Sequence, residues 1–550
     1  MNPTAILLAT FILSVVGLFV FIWSLRRGMF EATSAGARVI FSPHEIGRTD
    51  EPSASQEQQA ELQRVTDLYG RDSDSEEGVS PTELAAREEA DRSTAYPVFL
   101  MFACAGLWLL IASAAGLVSS LKLHMPDLLT QYAWLSFGRL RTIHLNAVAY
   151  GWTPMGALGL AVWLLPRLLQ TPLRGGRLVI LGTVIWNAAL IAGLGGLAVG
   201  INAGMEWLEI PWQIGGLFAV GGMLIGLPMA LMLSRRKVHH LYVSVWYMGA
   251  ALFWFPTLYI VAKMPGIHVG IEQATMNWWF GHNVLGLFYT PIAIACVYYF
   301  LPKVIGRPVR SYNLSLLGFW ALAFFYGQVG AHHLIGGPIP EWLATLSIVQ
   351  SMMMIIPVVA FSVNQHLTLK GHFRALRYSP VLRFVFFGAT MYTVSSIEGS
   401  FEALRSVNAI THFTHFTVGH AHIGLYGFVS MVIFGGIYFA MPRVLNIPWP
   451  KHALIAWHFW LVVAGFAVYA ISLSIGGVLQ GLALQDPNTP FMTSVAITQP
   501  WLIGRSIGGA LMTLGHLVFV YHIAWMTLRV SSTPLSSPAP QPVSASQSAV

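Results

Sequence analysis

Many of the 19 histidines of this 550-residue chain fall inside apolar segments, where ionisable side chains are costly to bury and usually functional, and six of them form patterns that could bind metals. Two of them, His420 and His422, are separated by one residue. On a helix their side chains point about 200° apart, so they cannot hold one metal ion together. They can hold two planar cofactors on opposite sides of the helix, since histidine is an axial ligand of haem iron. The alternative is two helix histidines hydrogen-bonded to neighbouring segments.

A second pair, His332 and His333, consists of adjacent residues at the end of another apolar segment. A distorted helix end would let both rings converge on one ion. His282, at the start of the preceding segment, can supply a third ligand. Three imidazoles without a carboxylate suit copper or zinc. The alternative is two surface histidines near a helix end.

The sixth histidine, His144, follows Arg141 by three residues, which places both side chains on one helix face. An arginine one turn from a haem ligand is well placed to pair with a propionate. The alternative is an interfacial arginine that happens to precede a histidine.

The elements that position these residues must be membrane helices. The chain is 55% hydrophobic and only 10% charged, with a mean hydropathy of +0.62, which excludes a soluble globular protein. Long apolar runs exclude an outer-membrane barrel, whose strands alternate. The net charge of +7 indicates cytoplasmic loops rather than nucleic-acid binding. Two cysteines cannot build a disulfide framework or an iron–sulfur site.

The predicted fold is an all-α polytopic membrane protein with twelve spans and one extra N-terminal helix. We expect an N-terminal transmembrane anchor over residues 1–27, a polar and largely disordered cytoplasmic linker over 28–94 with a helix near 80–92, a twelve-helix domain over 95–530, and a disordered tail over 531–550. The predicted spans lie near residues 96–120, 140–165, 177–200, 212–234, 241–263, 276–301, 314–335, 341–364, 381–397, 416–440, 454–478 and 501–527.

Basic residues orient the chain in the membrane. One set of loops carries Arg167, Arg235 and Lys303, and the positive-inside rule places that side in the cytoplasm. All six histidines then lie toward the outer half of the membrane, a shared depth that a single cofactor cluster requires.

Five motifs together resemble subunit I of the haem-copper oxidases, most closely the cbb3-type catalytic subunit, over residues 96–530. They are FGRLRTIH (137–144), WWFGHN (278–283), YYFLPKVIGRPVRSYNLS (298–315), FWALAFFYGQVGAHH (319–333) and SVNAITHFTHFTVGHAH (406–422).

The resemblance implies a role for each histidine. His144 and His422 would be the axial ligands of a low-spin haem b, and His420 the proximal ligand of a high-spin haem b3. His282, His332 and His333 would bind copper (CuB). Tyr326 matches the active-site tyrosine, which in this family is cross-linked to the copper ligand matching His282.

The resemblance also implies supporting residues. Arg141 and His412 match residues beside the haem propionates. Thr290, Tyr298 and Ser315 match a proton channel that opens to the cytoplasm. Glu398 matches a glutamate near the high-spin haem and is predicted to belong to the same proton pathway. Glu206 and Glu209 align loosely with acidic residues near a calcium site. The sequence departs from the family at Gly318, commonly a histidine, and at His415, commonly an aspartate.

The implied function is that of a terminal oxidase in the bacterial inner membrane. It would reduce O2 to water with electrons from cytochrome c, delivered through membrane-anchored c-type cytochrome subunits, and would take up and pump protons. A nitric oxide reductase of the same superfamily is the main alternative. That enzyme has a glutamate one turn after the position of His282, where this chain has no acid over residues 283–286. A twelve-span transporter is a further alternative, but it gives no reason for the histidine pattern.

The N-terminal residues 21–30 and 36–41 resemble the small single-pass maturation protein that accompanies cbb3-type oxidases. This resemblance implies that an assembly factor is fused to the catalytic subunit. The alternative is an extra anchor followed by a basic stop.

Overall fold

The computed structural model describes residues 34–68 and 81–530, together with scattered residues between 12 and 29. Within that part of the chain, twelve helices are long and apolar enough to cross a membrane, and they match the predicted spans one for one. They are α1 (Ala85–Lys122), α2 (Phe137–Leu169), α3 (Gly176–Val199), α4 (Trp212–Ser234), α5 (Val243–Lys263), α6 (Ile271–Ile305), α7 (Tyr312–Leu334), α8 (Glu341–Leu369), α9 (Pro380–Glu402), α10 (His415–Leu445), α11 (His452–Gln485) and α12 (Phe491–Arg529).

Three helices form the centre of the bundle. The most apolar stretches of α2, α6 and α10 are 94%, 89% and 83% buried, whereas those of the other spans are 39–50% buried. The central helices therefore touch protein on nearly all sides, while the outer helices keep an apolar face toward lipid. The histidines on α2, α6 and α10 consequently project into protein rather than into the bilayer.

The central helices depart from α-helical geometry next to their histidines. Wider π-helical turns occupy Ala147–Trp152, Leu285–Tyr289 and Ile423–Ser430, just after His144, His282 and His422. Such turns inside α-helices are frequent at functional sites. The outer end of α7 instead tightens into a 3₁₀ helix over Tyr326–Leu334.

The segment before α1 is more ordered than the predicted disordered linker. Helix Gln56–Asp67 buries Leu62 and Val65, and the carboxylate of Glu51 is buried, where it accepts hydrogen bonds from the backbone of Ser53 and Val381. Charge complementarity contributes to this order, since Glu45 and Asp50 of the segment form ion pairs with Lys303 and Arg443 at the ends of two spans.

The first helix is also longer than predicted. The expected short helix near residues 80–92 is the beginning of one continuous helix, Pro81–Lys122, which contains α1. Most of the expected anchor over residues 1–27 lies outside the described residues, although a short apolar helix is assigned over Val15–Ser24. The predicted tail over 531–550 also lies outside the described residues.

Candidate functional site

One cavity of about 420 Å³ lies among the central helices and is lined by all six predicted histidines. They come from α2, α6, α7 and α10, so four separate stretches of sequence meet at one place. The other predicted residues on its wall are Tyr326, Thr290, Arg141 and Glu206.

His282, His332 and His333 form a three-histidine cluster in which one ligand nitrogen from each ring lies within 4.8 Å of the others. Among the described residues, this is the one group of three or more histidine, cysteine, aspartate or glutamate side chains with that geometry. Nδ1 of His282 lies 2.9 Å from Nε2 of His333, and Nδ1 of His332 bonds Oγ of Ser351 at 2.8 Å. Three converging imidazoles with no carboxylate fit copper.

Close packing of α7 against α6 brings the His332 and His333 pair toward His282. Here the tightened end of α7 lies against α6, where Gly330 packs so close to the Trp278 carbonyl that a Cβ atom would overlap it. The ring of Trp278 also stacks on His333 with centroids 4.1 Å apart, which fixes that imidazole.

His144 and His422 face each other with parallel rings. Their centroids are 6.2 Å apart and their planes differ by 8°. Two imidazoles on opposite sides of one metal ion, each about 2 Å from it, would have centroids about 6 Å apart. Each Nδ1 bonds a backbone carbonyl at 2.8 Å, that of Ala112 for His144 and that of Val418 for His422. Each Nε2 therefore keeps its lone pair, although Nε2 of His422 lies 3.2 Å from Oη of Tyr469.

His420 contacts α9 instead of α2. Its Nδ1 lies 3.1 Å from a carboxylate oxygen of Glu398 and 4.0 Å from one of Glu402. Gly399 makes room for the ring, because a Cβ there would lie 2.8 Å from Cε1 of His420. His420 therefore faces Glu398 on α9, while His422 faces His144 on α2. The two side chains point to different sides of α10, as their spacing predicts. Sequence reasoning missed Glu402, which its position four residues after Glu398 on one helix face could have indicated.

Tyr326 packs face to face on His282, with ring centroids 5.3 Å apart and an interplanar angle of 22°. Gly286 permits this approach, since a Cβ at that position would overlap the tyrosine ring. The phenol is therefore held against a member of the three-histidine cluster.

Among the described residues, those predicted for a proton channel do not form one hydrogen-bonded chain. Thr290 lines the cavity, whereas the buried Tyr298 stacks on Tyr247 at 6.2 Å. Oγ of Ser315 donates to the carbonyl of Tyr312 at 2.6 Å. At Gly318 a Cβ would lie 3.3 Å from the Tyr247 hydroxyl, which thus occupies space next to the position that is commonly histidine in the family.

The remaining predicted residues are Arg141 in the first turns of α2, and Glu206, Glu209 and His412 in segments that connect spans. Arg141 forms an ion pair with Glu206, while the buried Glu209 accepts a hydrogen bond from Asn146 at 3.0 Å. Burial raises the pKa of Glu209 to about 7. The ring of His412 stacks on that of Phe413, with centroids 4.0 Å apart. Burial lowers the pKa of His412, and Glu402 opposes this effect.

Fold and site together define a polytopic helical membrane protein with one buried centre suited to haem and to a three-histidine metal ion. Residues 96–511 match the family described as Cytochrome C and Quinol oxidase polypeptide I, and the chain belongs to that family.

The chain is 32% identical over 442 residues to the cbb3-type cytochrome c oxidase subunit CcoN1 of Stutzerimonas stutzeri. This match covers 77% of the chain and 93% of that relative. It is 30% identical over 448 residues to cytochrome c oxidase subunit 1 of Rhodobacter capsulatus, covering 76% and 83% respectively. A nitric oxide reductase polypeptide of Stutzerimonas stutzeri is less similar, at 25% identity over 443 residues, covering 74% of this chain and 89% of that relative.

A solved haem-copper terminal oxidase dimer shares the fold, with a TM-score of 0.66 at 15% identity over 81% of this chain and 85% of that one. These comparisons confirm the predicted cbb3-type subunit I, its all-α membrane fold and its cytochrome c oxidase activity. The family carries haem and copper, and the chain is a multi-pass bacterial membrane protein. The resemblance of the N-terminal residues to a maturation protein finds no support, since the family match begins at residue 96.

Proposed function

We propose that the chain reduces O2 to water at a copper ion bound by His282, His332 and His333 next to a haem b3 bound by His420. A low-spin haem b would be bound by His144 and His422. The observation that carries this assignment is the single cavity that holds all six imidazoles. When bound, the haems and copper supply electron transfer and oxygen activation; the residues of the chain hold them, orient them and supply protons.

Side chains that contact the imidazoles hold these rings in the orientation that metal binding requires. Ser351 contacts Nδ1 of His332, and Glu398 contacts Nδ1 of His420, so Nε2 of each ring is directed toward the cavity. Partners of this kind set the tautomer and orientation of a metal-binding histidine and raise its basicity. The carboxylate of Glu398 would also make His420 a stronger electron donor to the haem iron, because it accepts a hydrogen bond from the ring N–H.

Tyr326 is the proposed catalytic residue. Its phenol lies against His282 and can release a proton to a reduced oxygen species in the cavity. Thr290, Tyr298 and Ser315 would return protons to it from the cytoplasm, with water joining the gaps between their hydroxyls.

The enzyme would depend on partner subunits for its electrons. The sequence contains no C-x-x-C-H motif, so c-type haems and their electrons would come from membrane-anchored c-type cytochrome subunits and cytochrome c. The enzyme would lie in the bacterial inner membrane, with its cofactors toward the outer face, and would pump protons. Arg141 and His412 would pair with haem propionates. Two separate proposals are a calcium ion bound by Glu206 and Glu209, and a maturation role for the N-terminal residues 21–30 and 36–41.

The test uses the purified complex with its cytochrome subunits. We expect two b haems and one copper per chain, together with O2 consumption that Tyr326→Phe abolishes at unchanged metal content. Tyr521→Phe, at an exposed tyrosine of α12, is the matched control. Non-haem iron in place of copper, with nitric oxide consumed faster than O2, would assign the chain to the alternative reductase.

A further inference from the structure

Three hydrogen-bonded side chains on the cavity wall have no part in the proposed oxygen chemistry. They are Ser113 of α1, Tyr426 of α10 and His516 of α12, and we call them the tyrosine–histidine network. His516 is only 5% exposed. Ionisable side chains within a membrane are costly and are usually retained for a function. Their position on the wall indicates a function toward the contents of the cavity.

The hydrogen bonds of this network run in one direction. The Ser113 hydroxyl donates to the Leu109 carbonyl at 2.6 Å, so its oxygen accepts from the Nδ1–H of His516 at 2.7 Å. Both nitrogens of His516 bond hydroxyls rather than carboxylates, so the buried ring is neutral and carries one proton. Its Nε2 therefore accepts, and the Tyr426 hydroxyl donates to it at 2.8 Å. The phenol proton is directed at His516, which leaves the oxygen lone pair of Tyr426 available to the cavity.

Tyr426 lies beside the His144–His422 pair. It follows His422 by four residues, about one turn of α10, and its ring packs on Phe466 of α11 with centroids 5.9 Å apart. An axial imidazole stands perpendicular to the haem plane, so a haem bound by His422 would extend along α10 toward Tyr426. Arg141 precedes His144 at the start of α2, whereas Tyr426 follows His422 deeper in the membrane. The phenol oxygen therefore faces the haem edge opposite the one that Arg141 would hold.

Building on the proposed function, we propose that Tyr426 lowers the reduction potential of the low-spin haem, and that His516 and Ser113 are positioning residues that keep its oxygen lone pair turned toward the haem edge. Reduction adds negative charge to a haem, and an electronegative oxygen at its edge disfavours that charge. Hydrogen bonds in series polarise one another, so donation to His516 makes the phenol oxygen more negative. The low-spin haem then passes its electron more readily to the haem that His420 would bind.

A second tyrosine–histidine pair on α10 and α11 provides the matched control. The Tyr438 hydroxyl bonds Nδ1 of His458 at 3.0 Å, and both side chains are fully buried. Neither residue lines the cavity. The two pairs therefore share their chemistry and differ in whether they reach the haem.

The experiment is a redox titration of the complete purified complex. It follows the absorption band of the reduced low-spin haem, which carbon monoxide leaves unchanged because two histidines occupy both axial positions. In Tyr426→Phe, we expect the reduction equilibrium to shift about three- to tenfold toward the reduced form, a rise in potential of about 30–60 mV. Tyr438→Phe should leave the potential unchanged.

Two substitutions of His516 test the positioning role. His516→Leu removes the acceptor of the phenol proton and should raise the potential in the same direction as Tyr426→Phe. His516→Gln should keep a potential near that of the wild type, because its amide oxygen can accept the proton of Tyr426.

An unchanged potential in Tyr426→Phe would overturn the proposal, and so would a lower one, since the phenol would then donate to the cavity. Equal potentials in His516→Leu and His516→Gln would overturn the positioning role. If Tyr426→Phe loses the haem, the comparison of the two His516 variants carries the test. A wild-type complex without a low-spin haem, or one that consumes no O2, would instead refute the proposed function.

Discussion

Glu45 is the residue through which the N-terminal segment is most strongly bound to the membrane bundle. Its carboxylate forms a two-point ion pair with Arg87, with N–O distances of 2.9 and 3.0 Å, and contacts Nζ of Lys303 at 2.9 Å. The Lys303 side chain is only 7% exposed and that of Glu45 20%. Glu45→Gln preserves the shape and the hydrogen bond from the Ser42 backbone but removes the charge.

The pKa of Glu45 gives the size of the stabilisation that the Glu45→Gln substitution removes. Burial raises this pKa, but Lys303 and Arg87 outweigh burial and lower it from 4.5 to about 2. That difference corresponds to about 3 kcal/mol of stabilisation by the charged form. Loss of the charge leaves Lys303 buried without its partner, a cost that this difference already includes. Detachment of residues 34–68 should therefore become about 100-fold more favourable.

The sign of the pH dependence is fixed by the lowered pKa. The stabilisation is fully present above the unfolded-state pKa of 4.5 and is lost as the pH falls through the folded-state value of about 2. The wild-type segment should thus loosen between about pH 4 and pH 2, and the Gln variant should lack this step.

The assay is hydrogen exchange of residues 34–68 in the purified complex at neutral pH. Exchange in the Glu45→Gln variant should be about 100-fold faster than in the wild type. Glu61→Gln is the control, because Glu61 pairs with an Arg64 side chain that is 75% exposed, and exposed pairs contribute about 0–1 kcal/mol. Equal exchange in the Glu45 variant and the wild type would refute the reasoning.

Two further predictions concern the histidines of the cavity. Ser351→Ala removes the partner of His332 Nδ1 at 2.8 Å and should weaken copper retention about 10–100-fold at unchanged haem content, measured by metal analysis after chelator dialysis; unchanged retention would contradict it. Gly116→Ala places a Cβ 2.6 Å from His144 Nδ1 and should weaken the low-spin haem signal in the reduced visible spectrum, whereas Gly138→Ala, with open space around it, should leave the spectrum intact.

Much of the fold could be predicted from the sequence because a bilayer imposes a simple requirement on it. A helix must carry about 20 apolar residues to span the membrane, so all twelve spans are visible as hydrophobic runs. The six histidines stand out against those runs. The order of residues 42–67 was not predictable, since a polar composition resembles that of a disordered linker. Its stability comes from partners such as Lys303 and Arg443, which are distant in the chain.

The supporting contacts of the site also escaped sequence reasoning. Ser351 and Glu402 are ordinary residues in their own helices, and only packing brings them to His332 and His420. The sequence suggested Glu398 as part of a proton path, whereas the structure places its carboxylate on the ring nitrogen of His420.

By itself, the sequence determined that this is a membrane protein, where its twelve described spans lie, and which histidines are available to bind metals. Hydrophobicity and residue type are local properties that each segment carries alone. The tertiary structure decided which histidines meet, because convergence depends on the π turns of the central helices and close approach at Gly286 and Gly330. Those distortions are stabilised by packing between helices far apart in sequence, and no single segment contains that information.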